Sequence, residues 1–369
     1  MYDKRKFLLI LLVLTLIFSL FTIFVSSDGA LSTSAKSAAL YEPKTKTFIY
    51  TKNANEKLSM ASTTKIMTAL IALENLDGDE EIEIDKRAVG IEGSSIYLKE
   101  GEKMKAIDLV YALILQSAND AAEALAYRIS GSIQDFAQLM NERAASLGLC
   151  DTNFENPHGL DNENHYTTAH DLAIISAAAL ENPTFKEISS SYKKVVESSL
   201  MTRTLVNHNK LLKSYDGCIG VKTGYTKKSG RSLVSAAEKN NLTLIAVTIN
   251  APDDWRDHKK LLDYGYSLLV SKTLAAPGKY RYRIPVINGE EDFVYVSNRD
   301  SLERIFSKKD PEYNVYVKMS KYLSAPVSTD APVGKIIFAK KNGEVINSIY
   351  LYAENSVAKK IEKRHFFIK

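Results

Sequence analysis

Residues Met60–Leu76 read MASTTKIMTALIALENL. Ile66 to Leu73 carry no charge, and Ile66, Met67, Leu70, Ile71 and Leu73 leave almost no polar side, the pattern of a helix buried nearly all round. Ser62 stands at its start. There, backbone N–H groups and the positive end of the helix dipole face any oxyanion that forms when a hydroxyl attacks a carbonyl. Lys65 follows one turn on, on the same face, and an amine drawn into a buried helix is desolvated, which lowers its pKa toward that of a useful base. The plainer reading makes Ser62 an N-cap and Lys65 a surface lysine, and Ser-x-x-Lys alone arises often by chance.

Two later stretches weigh against chance. Ser117-Ala118-Asn119 is a polar break between two apolar helical runs, Ile107 to Leu115 and Ala121 to Ile129, so its hydroxyl and carboxamide fall at a helix junction beside a cleft. Lys222-Thr223-Gly224 follows Ile219-Gly220-Val221 in a strand-like context, where Lys222 and Gly224 share one side and the glycine admits a substrate backbone. A capping Ser/Asn pair and a solvated strand-end lysine are the alternatives to each. The three in order, each in a fitting context, form a recognised serine acyl-transfer set.

With these motifs the chain resembles the D-alanyl-D-alanine carboxypeptidases of the low-molecular-weight penicillin-binding protein family. Similar stretches run over about Ser37 to Leu269: Gly93-Ser94-Ser95 with Leu98-Lys99-Glu100-Gly101, Gln116 to Ala122, Asn156-Pro157-His158-Gly159-Leu160 and Thr168-Ala169-His170-Asp171-Leu172. One departure is His208, in Val206-Asn207-His208-Asn209, close to where the family often carries an arginine. The resemblance implies an α+β fold, a β-lactamase/transpeptidase-like five-stranded antiparallel sheet with an inserted helical region, plus a small C-terminal all-β domain. It further implies acyl transfer, with Ser62 as nucleophile, Lys65 as base and Ser117 relaying a proton to the leaving D-alanine. The backbone N–H groups of Ser62 and Tyr225 would form the oxyanion hole. Asn119 would bond the substrate amide, while Thr223 with Lys222 would receive the terminal carboxylate and Gly224 would let the substrate backbone come close. No cofactor is required, the substrate would be a peptidoglycan stem peptide, and β-lactam antibiotics would acylate the serine.

The rest of the chain sets the frame. A length of 369 residues, 45% hydrophobic and 25% charged, suffices for a full catalytic core and a second domain, and a net charge of +4 with interspersed signs argues against a nucleic-acid binder. Lys4, Arg5 and Lys6 precede the uncharged run Phe7 to Val25, so residues 1–27 read as a signal peptide or a retained membrane anchor. Export to the outer side of the cytoplasmic membrane or to the cell wall follows from either. Residues 28–36 read as a spacer, 37–274 as the catalytic domain, Ala275 to Gly278 as the boundary, and 279–369 as a β-rich domain with a basic tail.

In the first domain, strands are expected at Ser37–Tyr41, Thr47–Thr51, Ile219–Thr223, Ser232–Ala237 and Leu242–Ile249, with helices between and a closing helix from Pro252 to Val270. In the second, strands are expected at Tyr280–Val286, Phe293–Val296, Tyr313–Met319, Lys335–Phe338 and Val345–Tyr352. Cys150 and Cys218 read as two free, partly buried thiols. His158 reads as a loop histidine without a partner carboxylate, and His165, His170 and His258 do not make a metal set. Ser94 and Ser95 line the cleft or form a polar turn. A class A β-lactamase lacks support because no Glu-x-x-Leu-Asn follows Asn119. A D,D-endopeptidase of the same fold and a non-enzymatic wall-binding protein stay open as alternatives.

Overall fold

A computed structural model describes residues 31–309 and 312–361. The run Phe7 to Val25 and the end of the basic tail, from Glu362, lie outside the described residues; among those described, no helix is long and apolar enough to cross a membrane. The described residues from Ser34 onward form one compact unit with two large hydrophobic cores.

The chain opens with β1 (Ser37–Glu42) and β2 (Thr47–Lys52), followed by a 3-10 turn, Ala61–Thr64, that runs into α1 (Lys65–Asn75). β3 (Glu81–Glu83) and β4 (Lys103–Lys105) pair ahead of α2 (Ala106–Leu115), α3 (Asn119–Ser130) and α4 (Ile133–Ser146). α5 (Ala169–Glu181) and α6 (Pro183–Ser190) lead to the hairpin β5 (Lys193–Glu197) and β6 (Thr202–Val206), then to the short α7 (Leu211–Ser214). β7 (Cys218–Thr226), β8 (Gly230–Lys239), β9 (Leu242–Ile249) and α8 (Asp254–Leu268) complete this part. Its sheet is antiparallel, in the order β2-β1-β9-β8-β7, so the strand that carries Lys222-Thr223-Gly224 is an edge.

The strands are apolar on both faces because helices cover both. Ala39, Tyr41, Ile245 and Val247 point into the main core with α1 to α6, whereas Leu40 and Leu244 close on Gly265 of α8. From Lys65 to Ala72 every residue of α1 is buried, as its uncharged run predicts. Burial of Ile66, Met67, Leu70 and Ile71 contributes roughly 1.5–3 kcal/mol each. Helix ends fall at their sequence signals: the Ser132 and Thr168 hydroxyls accept from the N–H groups of Asp135 and Asp171 to cap α4 and α5.

Beyond α8 come β10 (Leu269–Ala275), β11 (Arg281–Ile287), β12 (Phe293–Ser297), β13 (Leu302–Ser307), β14 (Tyr313–Met319), β15 (Leu323–Ser324), β16 (Pro332–Lys340) and β17 (Val345–Ala353). Six of them form a sheet in the order β14-β16-β17-β12-β11-β15, and β10 pairs with β13. Three of these strands were not anticipated. β10 and β13 carry charges in short runs and gain their register only from each other, and Leu274 and Ala275 join the second core, so this body takes in a segment that the sequence reading gave to the first. The closing helix accordingly stops at Leu268, two residues before Val270. The β5–β6 hairpin was also missed, because neither of its strands has a continuous apolar face. Both cysteines are free, with Cys150 exposed and only Cys218 partly buried.

Candidate active site

The 3-10 turn places Ser62 ahead of α1 rather than within its first turn. Lys65 is fully buried, and its Nζ lies 3.1 Å from the Ser62 Oγ. Two other groups hold the same nitrogen, the Asn119 Oδ1 at 2.7 Å and the His158 carbonyl at 2.5 Å. Neither oxygen has a proton to give, since the Asn119 amide nitrogen donates to the Glu92 carbonyl, so a neutral Lys65 satisfies them with its two hydrogens. Its lone pair is then left facing the Ser62 hydroxyl. Burial drives the Lys65 pKa well below its ordinary value, the charge of Lys222 adds to this, and Asp120 opposes it.

Each partner of Lys65 is itself positioned by local chemistry. Ser117 sits in the left-handed region, at φ 58°, between α2 and α3, a strained junction that starts α3 at Asn119. Asp120 accepts from the Ser95 hydroxyl and from the N–H groups of Ile96 and Leu98, fixing the loop that contains Ser94. Arg203 clamps the same loop from β6. It donates to the Ile96 carbonyl and pairs with the buried Glu102, whose carboxyl burial would raise but whose bonds to Arg203 hold below the usual range. The loop Asn156–Leu160 presents the His158 carbonyl because Gly159, at φ 89°, lies against the Ser62 turn; a Cβ there would meet the Ala61 carbonyl oxygen at 1.9 Å.

His158 does have a partner carboxylate, contrary to the sequence reading: Glu123 of α3 lies 3.3 Å from its Nε2. The two are 35 residues apart, a pairing that no local pattern reveals. Desolvation lowers the His158 pKa, with Glu123 opposing, and its contribution to the site is the backbone oxygen on Lys65. His165 is likewise structural. Its Nδ1 accepts from the Glu155 N–H, so the Nε2 hydrogen goes to the Thr64 hydroxyl, and burial pushes its pKa to about 3.

A cleft of about 330 Å³ is lined by Ser62, Ser94, Ser117, His208, Lys210, Thr223, Gly224, Tyr225, Arg231, Asp254 and Trp255. It thus holds one residue from each of the Ser-x-x-Lys and Ser-x-Asn motifs and two from Lys-Thr-Gly. β7 reaches the Ser62 turn through Gly224, where a Cβ would stand 3.2 Å from the Ser62 and Thr63 nitrogens. Ser94 lines the cleft, whereas the Ser95 hydroxyl is spent on Asp120. His208, near the position of the family's arginine, lines it too. Three expected site residues stand behind this surface. Lys65 is there, as is Asn119, whose carboxamide is engaged at both ends, and so is Lys222, which is buried with its amine on the Thr223 carbonyl at 2.9 Å. Burial brings the Lys222 pKa down to about 7. Arg231, Asp254 and Trp255 were missed because they lie on β8 and α8, outside all three motifs.

The chain matches the D-alanyl-D-alanine carboxypeptidase peptidase family over residues 24–253 and the C-terminal domain of penicillin-binding protein 5 over residues 270–359. It is 34% identical to the D-alanyl-D-alanine carboxypeptidase DacF of Bacillus subtilis over 353 residues, 91% of this chain and 89% of that one. Among solved structures it resembles the D-alanyl-D-alanine carboxypeptidase DacD of Francisella tularensis, with TM-score 0.64 and 26% identity over 92% of this chain and 100% of that one. Penicillin-binding protein 5 of Haemophilus influenzae gives TM-score 0.65 and 28% identity over 89% and 98%.

Two predictions follow from this geometry. Gly159→Ala forces the His158 loop off the Ser62 turn, and the acylation rate, measured by stopped-flow with a fluorescent penicillin, falls at least about tenfold. The second concerns pH. A depressed Lys65 pKa means that the neutral amine accumulates as pH rises through that value, so acylation climbs and levels off below the ordinary lysine value of about 10.4. Lys65→Arg puts a permanent charge in place of the neutral amine, cannot deprotonate at working pH, and loses about a hundredfold or more of the rate.

Proposed function

We propose a division of labour for a chain that belongs to the D-alanyl-D-alanine carboxypeptidase family and is a penicillin-binding serine peptidase. Ser62 attacks the carbonyl between two terminal D-alanines, and the neutral amine of Lys65 takes its proton. The C–N bond breaks, the acyl group stays on Ser62, and Ser117, across the same cleft, relays a proton to the departing D-alanine. Water then releases the shortened stem peptide. The observation that carries this reading is the Lys65 nitrogen, buried, held by two oxygens that can only accept, and 3.1 Å from the Ser62 Oγ.

Asn119 orients Lys65; to bond a substrate amide as well, it must release the Glu92 carbonyl. The backbone N–H groups of Ser62 and Tyr225 serve as the oxyanion hole, a role supported by the approach of β7 to the Ser62 turn at Gly224. Lys222 lies behind the cleft, where its charge lowers the Lys65 pKa. Thr223 offers its hydroxyl to the terminal carboxylate. Penicillins acylate Ser62 as carbonyl mimics whose leaving group stays tethered. Asp254 is the single acid among the residues lining the cleft and is held by Arg231, which leaves no glutamate there to activate water for fast penicilloyl hydrolysis.

The same reading has the enzyme acting outside the cytoplasm, cleaved from or anchored by the segment Phe7 to Val25, with the C-terminal β-rich body positioning it and supplying none of the chemistry. The lining of the cleft, all within residues 62–255, supports the last point.

Intact-mass spectrometry after incubation with penicillin shows one penicilloyl adduct, which Ser62→Ala abolishes; an adduct that survives the substitution removes Ser62 from the nucleophile role. Terminal hydrolysis and crosslink cleavage separate on the substrate's C-terminus. Amidating a D-Ala-D-Ala peptide lowers kcat/KM by about tenfold or more, because charge-assisted hydrogen bonds to the carboxylate are worth about 1.5–3 kcal/mol. Equal cleavage of the amide selects the endopeptidase.

A further inference from the structure

We propose that Glu123, outside all three motifs, is a positioning residue for acylation: it holds the His158 ring, and through it the carbonyl that orients the Lys65 amine. The inference rests on Lys65 as the base, the reading set out above, and adds to it a residue that does not line the cleft. Glu123 stands four residues after Asn119 on α3, so the two share a face one turn apart. This turn therefore meets Lys65 twice. Asn119 gives its Oδ1 directly, at 2.7 Å, and Glu123 acts through His158, whose carbonyl oxygen accepts from the same amine at 2.5 Å.

The loop itself settles where the ring hydrogen goes. The His158 Nδ1 accepts from the Leu160 N–H at 3.2 Å, which leaves the hydrogen on Nε2, and Nε2 lies 3.3 Å from the Glu123 carboxylate. Both residues are buried. The restraints on the loop are of two kinds. The Asn156 side chain accepts from the His158 and Gly159 N–H groups and donates to the Leu160 carbonyl, bonds that shape the loop without tying it to its surroundings. The ties come from the helices that carry Lys65 and Asn119. α1 holds the Pro157 carbonyl through the Thr68 hydroxyl, and α3 holds the His158 ring through Glu123. The position of the carbonyl relative to Asn119 thus depends on Glu123. Every position of α3 from Asn119 to Ala126 is buried, so a carboxylate among them is costly, and an apolar side chain would pack there at lower cost while leaving the ring unheld.

The test is stopped-flow acylation of the full chain by a fluorescent penicillin, resolved into a binding constant and a limiting rate and followed across pH to the plateau where Lys65 is neutral. Glu123→Gln keeps an oxygen that accepts from Nε2, and its plateau rate stays within about twofold of the unsubstituted chain. Glu123→Leu, of similar size, removes the acceptor; its plateau rate falls about tenfold while the binding constant is unchanged. Glu123→Asp, one methylene shorter, loses part of the rate and decides the question if the leucine variant does not fold, full penicilloyl stoichiometry at long times marking a folded variant. An untouched plateau in the folded leucine or aspartate variant overturns the proposal. So does an equal loss in Glu123→Gln, or a shifted midpoint with the plateau intact, since either marks an effect of charge and not of a held ring. Lys65→Arg runs beside them. Near-normal acylation there removes Lys65 as the base and this inference with it, whereas an untouched plateau in the Glu123 variants alone leaves Lys65 in its role.

Discussion

A lysine amine fully enclosed by protein is the constraint from which the rest of this site follows. Removing a charged ammonium from water costs several kcal/mol, and the cheaper state is the neutral amine, here favoured further by the nearby charge of Lys222. A neutral amine has two hydrogens and one lone pair. Because Asn119 Oδ1 and the His158 carbonyl take the hydrogens, the orientation of the lone pair is decided by three parts of the chain remote in sequence.

Much of the helical region exists to hold those parts still. The Asp120 carboxylate and the Arg203–Glu102 pair both fasten the loop around Ser95 and Ile96, one from α3 and the other from β6. Breaking a buried pair of that kind leaves an uncompensated charge, so it acts as a lock more than as a source of net stability. On the opposite side, Gly159 lets the His158 loop touch the Ser62 turn without a side chain between them. The sheet contributes an edge. β7 is bonded on one side only, which leaves its other side open beside Ser62.

Burial also divides labour among the cations. Lys65 and Lys222 lie behind the cleft, where burial lowers the pKa of each, whereas Arg231 is at its surface with its guanidinium anchored on Asp254. A guanidinium stays protonated where a buried amine does not. That difference allows an amine of lowered pKa and a fixed positive charge to stand close to the Ser62 hydroxyl.

The uncharged run Ile66 to Leu73, the polar break at Ser117 to Asn119 and the strand-borne Lys222 to Gly224 were each readable as local patterns. They sufficed to mark Ser62 as the candidate nucleophile and to give the buried helix, the five-stranded sheet and the family, since periodicity and short-range motifs need no knowledge of distant contacts. Tertiary structure alone decided the remainder. The partnership of Glu123 with His158, the carbonyl that holds Lys65, the withdrawal of Lys222 and Asn119 behind the surface and the arrival of Arg231, Asp254 and Trp255 at the cleft all join residues far apart in the chain. The β10–β13 pair and the β5–β6 hairpin belong with them, because their strands take register from a partner and not from an apolar rhythm of their own. A sequence states which groups are present and how the nearest ones are spaced; which of them meet, and which are shut away from water, depends on packing that only the folded chain defines.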